Sequence, residues 1–369
     1  MKLYTNVQVG LGKILFRGLD ENGHRVNQRL DFNPTIFLPG DSASGWKDIH
    51  GQNVSPKTFP DIKSAKDFCD TYKFTSPNGN QRFEYQFIYE NFPGHVNWSM
   101  KDILVCNIDI EVGSADGFPE AEKAEQPVTA ITLDFFDRIV TLGHDANNTM
   151  KNGYQNNRKD VTYIECDSEE DLLLKFMDVW CTDYPDIVTG WNIKFFDIPY
   201  LYNRLTNLFG EKYAKRLSPW KQTWAREVDL GMGRKSKTVV LLGIANLDYL
   251  DLYQRYAPSG KSQPSYKLGD IGEVELGMKK LDFSEAQSLY HLYTTNFQKY
   301  IDYNIRDTEI IRGLENKLKL IELACTLAFD AKCNLEDVFA QVRMWDVLTT
   351  NFLMERKVCV PNATKGVKT

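Results

Sequence analysis

The sequence predicts an α/β protein: a mixed β-sheet flanked by helices, with a β-rich segment before it and further helices after it. Three observations carry that prediction. Residues 103–112, ILVCNIDIEV, read as a strand that begins apolar on both faces, which places it in the middle of a covered sheet. From there to about residue 320, strand-like and helical stretches alternate. Residues 1 to about 100 read instead as short strands separated by turns.

Composition narrows the classes. Of 369 residues 42% are apolar and 25% charged, enough for two or three cores and against wholesale disorder. The net charge of -6 argues against binding nucleic acid by overall charge, though not against a local basic track. Seven scattered cysteines without a C-x-x-C pair, and five histidines without an H-x-x-x-H pair, read as reduced thiols and no zinc site. Any metal would be held by oxygen. The start MKLYTNVQVG has no signal-peptide pattern, and no run of ~18 apolar residues offers a membrane span, so a soluble intracellular protein is expected.

In the first hundred residues, strands are expected at 3–9, 13–18, 29–33 and 34–38, with Asp20-Glu21-Asn22-Gly23 as a hairpin turn. An amphipathic helix is expected at 61–72, a strand at 81–89, and domain boundaries at 76–82 or at Pro93-Gly94. No catalytic cluster is visible there.

The strand at 103–112 then carries the first chemistry. Leu104, Cys106, Ile108, Ile110 and Val112 form one apolar face, while the other runs Ile103, Val105, Asn107, Asp109, Glu111. Two carboxylates about 7 Å apart on one strand face repel, and burial adds to the cost unless a cation lies between them. The same residues also fit a strand that emerges into solvent at Asp109.

A hairpin at 130–136 and 139–143, an asparagine-rich loop at 147–157, a strand at 161–166, a helix capped by Ser168 and a short strand at 187–190 follow. In GWNIKFFDIPY, Asp197 fits the N-cap of the next helix, yet it also points a carboxylate into the crevice at a strand-to-helix junction. Trp191, Phe195 and Phe196 offer apolar walls for a base. Residues 211–226 interleave Lys212, Lys215, Arg216, Lys221 and Arg226 with Tyr213, Trp220 and Trp224, which fits a single-strand track or an amphipathic connector. Residues 227–242 read as a hairpin with a basic, glycine-rich tip at 231–237. Asp248 and Asp251 read as surface or structural residues, and 277–282 as a loop bearing Lys279 and Lys280.

The last candidate is a helix from 296 to about 320. Tyr300, Tyr303, Asp307, Ile310, Leu314 and Leu318 recur at helical spacing along one face, so Asp307 interrupts a buried stripe with Tyr303 beside it. If Asp109, Glu111, Asp197 and Asp307 converge, their charge calls for cations, and all-oxygen ligation selects Mg²⁺ or Mn²⁺. Two such ions ~3.5–4 Å apart suit in-line displacement at phosphorus.

D-I-E at the end of the first strand, N-x-x-x-F-D from Asn192 to Asp197 and Y-x-x-x-D from Tyr303 to Asp307 resemble the three exonuclease motifs of family B DNA polymerases. GWNIKFFDIPY, LDYLDLY, YIDYNIRD and WKDIHGQN are similar to the T-even-type phage members, across essentially the whole chain. The resemblance implies an RNase H-like exonuclease domain at 104–319, a β-rich N-terminal domain at 1–103, and a helical return onto that domain at 320–369. It implies two Mg²⁺ or Mn²⁺ ions: Asp109 bridging both, Glu111 and Asp307 completing the water-side site, and Asp197 holding the other partly through water. Tyr303 would orient the attacking water and Lys280 would assist near the scissile phosphate. DNA contacts are expected at Asn192, Phe196, Phe118, Arg234, Lys235 and Lys237, with the basic hairpin parting primer from template. Single-stranded 3′ ends, primer–template DNA, replisome proteins and a polymerase-domain chain are the implied partners, in the cytoplasm of an infected host cell.

One departure is large. The palm motifs D-x-x-S-L-Y-P-S and D-T-D do not occur, so this polypeptide is expected not to polymerise by itself, whether it is an excised portion or one product of a split gene. A proofreading 3′→5′ exonuclease is the leading expectation. Its rivals are a docking module for DNA or a partner polymerase, with little activity alone, and an RNA-processing exonuclease with the same acids.

Overall fold

The structure, a computed structural model, describes residues 1–72, 77–115, 117–229, 231, 233–258 and 262–361. Ser76 of the expected boundary, Met232 of the expected hairpin tip, and the chain after Pro361 lie outside them. The chain divides into two compact units, Met1–Asp102 with the stretch from Ala324 onward, and Ile103–Leu323.

The first unit opens with an antiparallel meander of β1 (Leu3–Gly10), β2 (Lys13–Leu19) and β3 (Arg25–Leu30). Asp20 closes the expected turn by accepting the N–H groups of Asn22 and His24, each at 2.9 Å. That turn moves the third strand four residues earlier than expected. β4 (Thr35–Pro39), β5 (Trp46–Asp48) and β6 (Asn53–Thr58) follow, then α1 (Ile62–Thr71), capped by Asp61 through the Ser64 N–H at 2.7 Å.

The strand expected at 81–89 is instead the helix α2 (Phe83–Asn91). Phe83, Tyr85, Phe87 and Tyr89 alternate as a strand would, but Gln86 and Ile88 are buried as well, so the segment is covered on most of its circumference. That pattern suits a core helix, and the Gln86 amide spends its polar groups on the backbone of Thr35.

The second unit is built on a six-stranded mixed sheet of order β10-β9-β8-β7-β11-β14. β7 (Val105–Val112) sits inside it, antiparallel to β8 (Val128–Asp134) and parallel to β11. β9 (Ile139–Gly143) completes the expected hairpin with β8, and β10 (Val161–Glu165) pairs with it in parallel. α3 (Glu169–Thr182) begins at Ser168, whose hydroxyl accepts the Asp171 N–H at 3.2 Å. β11 (Ile187–Thr189), α4 (Asp197–Phe209) and the short α5 (Glu211–Ala214) come next.

β12 (Thr223–Asp229) and β13 (Lys235–Leu241) form the expected basic hairpin as a separate two-stranded sheet. β14 (Ala245–Asn246), α6 (Tyr249–Tyr256), α7 (Leu268–Leu276), α8 (Leu289–Thr295) and α9 (Phe297–Leu318) finish the unit.

Two cores sandwich the sheet. Cys106, Ile108 and Ile110 of β7 pack with Leu172, Phe176 and Trp180 of α3 and with Leu201 and Leu205 of α4. On the opposite face Phe297, Tyr300, Ile301 and Ile305 of α9 pack with Ala130, Ile139 and the α8 residues Leu292 and Tyr293. α9 lies so close to the sheet that a Cβ on Gly143 would stand 2.8 Å from the Ile301 side chain. This close approach brings helix side chains down to the β7 carboxylates.

α10 (Leu320–Ala331) crosses the division at Leu323/Ala324, and α11 (Gln341–Met354) and β15 (Val358–Cys359) belong to the first unit, where β15 pairs with β5 in a sheet of order β15-β5-β6-β4. Among the described residues no helix is long and apolar enough to cross a membrane.

Candidate active site

β7 and α9 build the site between them. Asn107, Asp109 and Glu111 are the residues of β7 that face α9, because alternate strand residues share a face and the other face is committed to the α3/α4 core. Asp307 comes down from α9. Carboxylate oxygens of Asp109, Glu111 and Asp307 all lie within 4.8 Å of one another. The solvent-facing reading of Asp109 and Glu111 therefore gives way to a shared pocket.

Burial, then the charges of Asp307, Glu111 and Asp197, raise the Asp109 pKa well above the usual carboxylate range. Burial and the Asp307 charge push Glu111 up to about 8. Asp307 is raised too, again by burial, although Lys280 pulls the other way.

Lys280 is the cation in reach. Its ammonium pairs with Asp307 Oδ2 and donates to the Tyr303 hydroxyl at 3.0 Å. Burial works to lower its pKa, but the Asp307 carboxylate and the Tyr303 oxygen outweigh burial and carry it up. Tyr303 is pushed up to about 12, chiefly by burial and the Asp307 charge, and so keeps its proton at neutral pH. Lys279, the other lysine of the loop, pairs with Glu273 at 2.9 Å.

Three carboxylates facing one ammonium leave negative charge in excess, and Asp307 Oδ1 is buried without a hydrogen-bond partner. An unpaired, inward-facing carboxylate oxygen in an all-oxygen set fits a hard divalent cation. Outward from these acids lies a cleft of about 840 Å³, walled by Trp191, Leu268, Asp270 and Lys280, a size suited to a small ligand such as a nucleotide.

Asp197 departs from its expected capping role. α4 starts at Asp197 itself, and Asp197 Oδ1 accepts the Ile110 N–H of β7 at 3.1 Å. It is outside the three-carboxylate group, yet burial, with the Asp248 and Asp307 charges behind it, pushes its pKa up to about 7. Asp248 is buried rather than superficial and is structural: it accepts the N–H groups of Asn192, Lys194 and Leu250 and so starts α6. Asp251 pairs with Lys194 at 2.8 Å.

Of the expected DNA contacts, Phe118 is 80% exposed and its ring lies 5.0 Å from that of Phe196, which in turn meets Tyr200 at 5.5 Å. Asn192 adopts φ 65, a left-handed conformation that asparagine tolerates, and turns the chain into α4. Arg234 is exposed on the hairpin, while Lys235 pairs with Glu227 and Lys237 with Glu122. These lysine pairs are solvent-exposed and weak, so a phosphate can compete for either lysine.

Of the basic and aromatic residues in 211–226, Lys212, Lys221, Arg226 and Trp224 are exposed, and the rest are tied down. Trp220 is buried, Lys215 pairs with Glu211, and Arg216 lies over Tyr213.

Of a second stripe of α9, only Tyr300 was read in the sequence. Tyr300, Asn304, Thr308 and Arg312, each four residues from the next, all bond to the sheet. The Tyr300 hydroxyl meets Thr129 Oγ1 at 2.6 Å, the Asn107 amide donates to the Thr308 carbonyl at 2.9 Å, and Arg312 grips the buried Asp134 carboxylate. Asn304 donates to Asp109 Oδ2 at 2.6 Å and accepts from Thr132. The available signal was the polar side chains at Tyr300, Asn304 and Arg312; Thr308 bonds the sheet through its backbone carbonyl, and its hydroxyl donates to the Ile305 carbonyl within the helix.

Comparison with known proteins agrees with this geometry. The family described as DNA polymerase family B, exonuclease domain, matches residues 65–271. The DNA-directed DNA polymerase of Escherichia phage RB69 is 31% identical over 384 residues, taking in 98% of this chain and 42% of that protein. That of Enterobacteria phage T4 is 29% identical over 389 residues, 100% of this chain and 43% of its own length. The DNA polymerase delta catalytic subunit of Dictyostelium discoideum is 28% identical over 230 residues, 59% of this chain and 20% of its own. The chain thus spans less than half the length of the phage polymerases it matches.

Proposed function

The chain belongs to the exonuclease-domain family of the family B DNA polymerases, and from that premise we propose that it is a divalent-metal-dependent 3′→5′ exonuclease acting on single-stranded DNA ends. The observation that carries the reading is the meeting of Asp109, Glu111 and Asp307 in one pocket, with a buried carboxylate oxygen left unpaired.

Asp109, Glu111 and Asp307 would hold Mg²⁺ or Mn²⁺, and Asp197 would help to hold a second ion. The bound cations supply the positive charge that in-line displacement at phosphorus requires. Lys280 adds a permanent charge beside the phosphate, since its surroundings favour the ammonium. The Tyr303 hydroxyl, protonated and next to Asp307, orients the water whose oxygen bonds to phosphorus as the bond to the 3′ oxygen breaks. Phe118 and Phe196 present ring faces on which terminal bases stack. Asn192 borders that aromatic wall, and Arg234, Lys235 and Lys237 meet phosphates of the incoming strand.

A single-stranded 3′ end unpaired from primer–template DNA is the proposed substrate, in the cytoplasm of an infected host. Polymerisation, in this reading, belongs to a polymerase domain and its replisome partners. The test is release of 5′-mononucleotides from a labelled DNA oligonucleotide in Mn²⁺. Asp109→Ala is expected to lower the rate at least about a thousandfold, the loss of several kcal/mol of transition-state stabilisation. Undiminished cleavage by that variant sinks the assignment.

A further inference from the structure

We infer that Asn304 is a positioning residue that aims the Asp109 carboxylate at the cation, with Thr132 holding Asn304 in turn; this rests on the metal-nuclease reading above. Asn304 is fully buried on α9. Its Nδ2 donates to Asp109 Oδ2 at 2.6 Å, and the same amide also favours the charged form of Glu111. One amide group thus addresses both strand carboxylates of the site.

The amide cannot turn freely, because its Oδ1 accepts the Thr132 hydroxyl, and Thr132 Oγ1 lies 3.0 Å from Thr141 Oγ1. The chain Thr141–Thr132–Asn304–Asp109 therefore runs from β9 through β8 and α9 to β7, with its members other than Asp109 buried. A donor on Oδ2 fixes the rotamer of Asp109 and leaves Oδ1 as the oxygen free to ligate. Partners of this kind, which orient a ligand without touching the metal, typically contribute ten- to a hundredfold in metal affinity.

The same network separates positioning from mere packing. A merely structural role would lower the metal-free unfolding midpoint and leave Mn²⁺ affinity unchanged, because a packing contact bears on the fold and not on how Asp109 faces the ion. A relay makes losses at Asn304 and Thr132 redundant: once the amide is gone, the hydroxyl that aimed it has nothing left to aim.

The experiment measures Mn²⁺ binding to the full chain by calorimetry and checks each variant's unfolding midpoint in chelator. Asn304→Ala is expected to weaken Mn²⁺ binding about ten- to a hundredfold. Thr132→Val is expected to weaken it less, Thr132→Ser to restore it, and the Asn304→Ala/Thr132→Val double variant to bind no worse than Asn304→Ala alone. Unchanged affinity in Asn304→Ala, or additive losses in the double variant, overturns the positioning role and leaves the nuclease reading standing. Failure of the unmodified chain to bind Mn²⁺ overturns both.

Discussion

Asp337 in the first unit and Asp307 in the second are both buried carboxylates, and their surroundings could hardly differ more. Asp337 accepts the Tyr85 hydroxyl at 2.8 Å, the Asn334 N–H at 2.9 Å and an Arg343 N–H at 3.0 Å, so both its oxygens are matched. Asp307 has Lys280 on one oxygen and nothing on the other, with Asp109 and Glu111 crowding it. A buried charge that is saturated contributes to holding the fold, whereas one left short keeps capacity for a ligand. Asp134 belongs with the first kind, since Arg312 grips it at 2.9 Å.

The largest effect should come from breaking the saturated site. Asp337→Ala strands an arginine, a phenol and a backbone N–H, and is expected to destabilise the first unit by about 3–5 kcal/mol in denaturant unfolding. Next in size, Mn²⁺ at a hundred times its dissociation constant should stabilise the second unit by about 2.7 kcal/mol in thermal melts. That gain should vanish with chelator or in Asp109→Ala and persist in Asp337→Ala.

The smallest effect has the opposite sign to the first. Glu111→Gln relieves repulsion in the unsaturated pocket and should stabilise the metal-free protein by about 1 kcal/mol while removing nuclease activity. A destabilised Glu111→Gln in chelator would erase the contrast between the two sites.

The strand holding Asp109 and Glu111 was legible because a sheet interior leaves one periodicity for apolar residues, and a carboxylate that breaks it stands out. Asp307 and Tyr303 were legible for the same reason at helical spacing. Asp197 was harder: an aspartate at the head of a helix has a common local use, and only the fold shows it spending an oxygen on the Ile110 N–H of β7. α2 was misread because aromatic residues at every second position mimic a strand when a helix is buried on most sides. Asn304 gave no individual signal, since asparagine within a helix usually faces water, and its partners Thr132 and Asp109 are remote in sequence.

The four polar anchors of α9, at Tyr300, Asn304, Thr308 and Arg312, work together as a gauge. A helix seated on grease alone can creep along a sheet. This one would have to surrender all four anchors at once to slip by a single notch. The gap between the strand acids and the helix acid is thereby set in advance by the scaffold, and hydrogen exchange along α9 should report its opening only when the whole second unit comes apart.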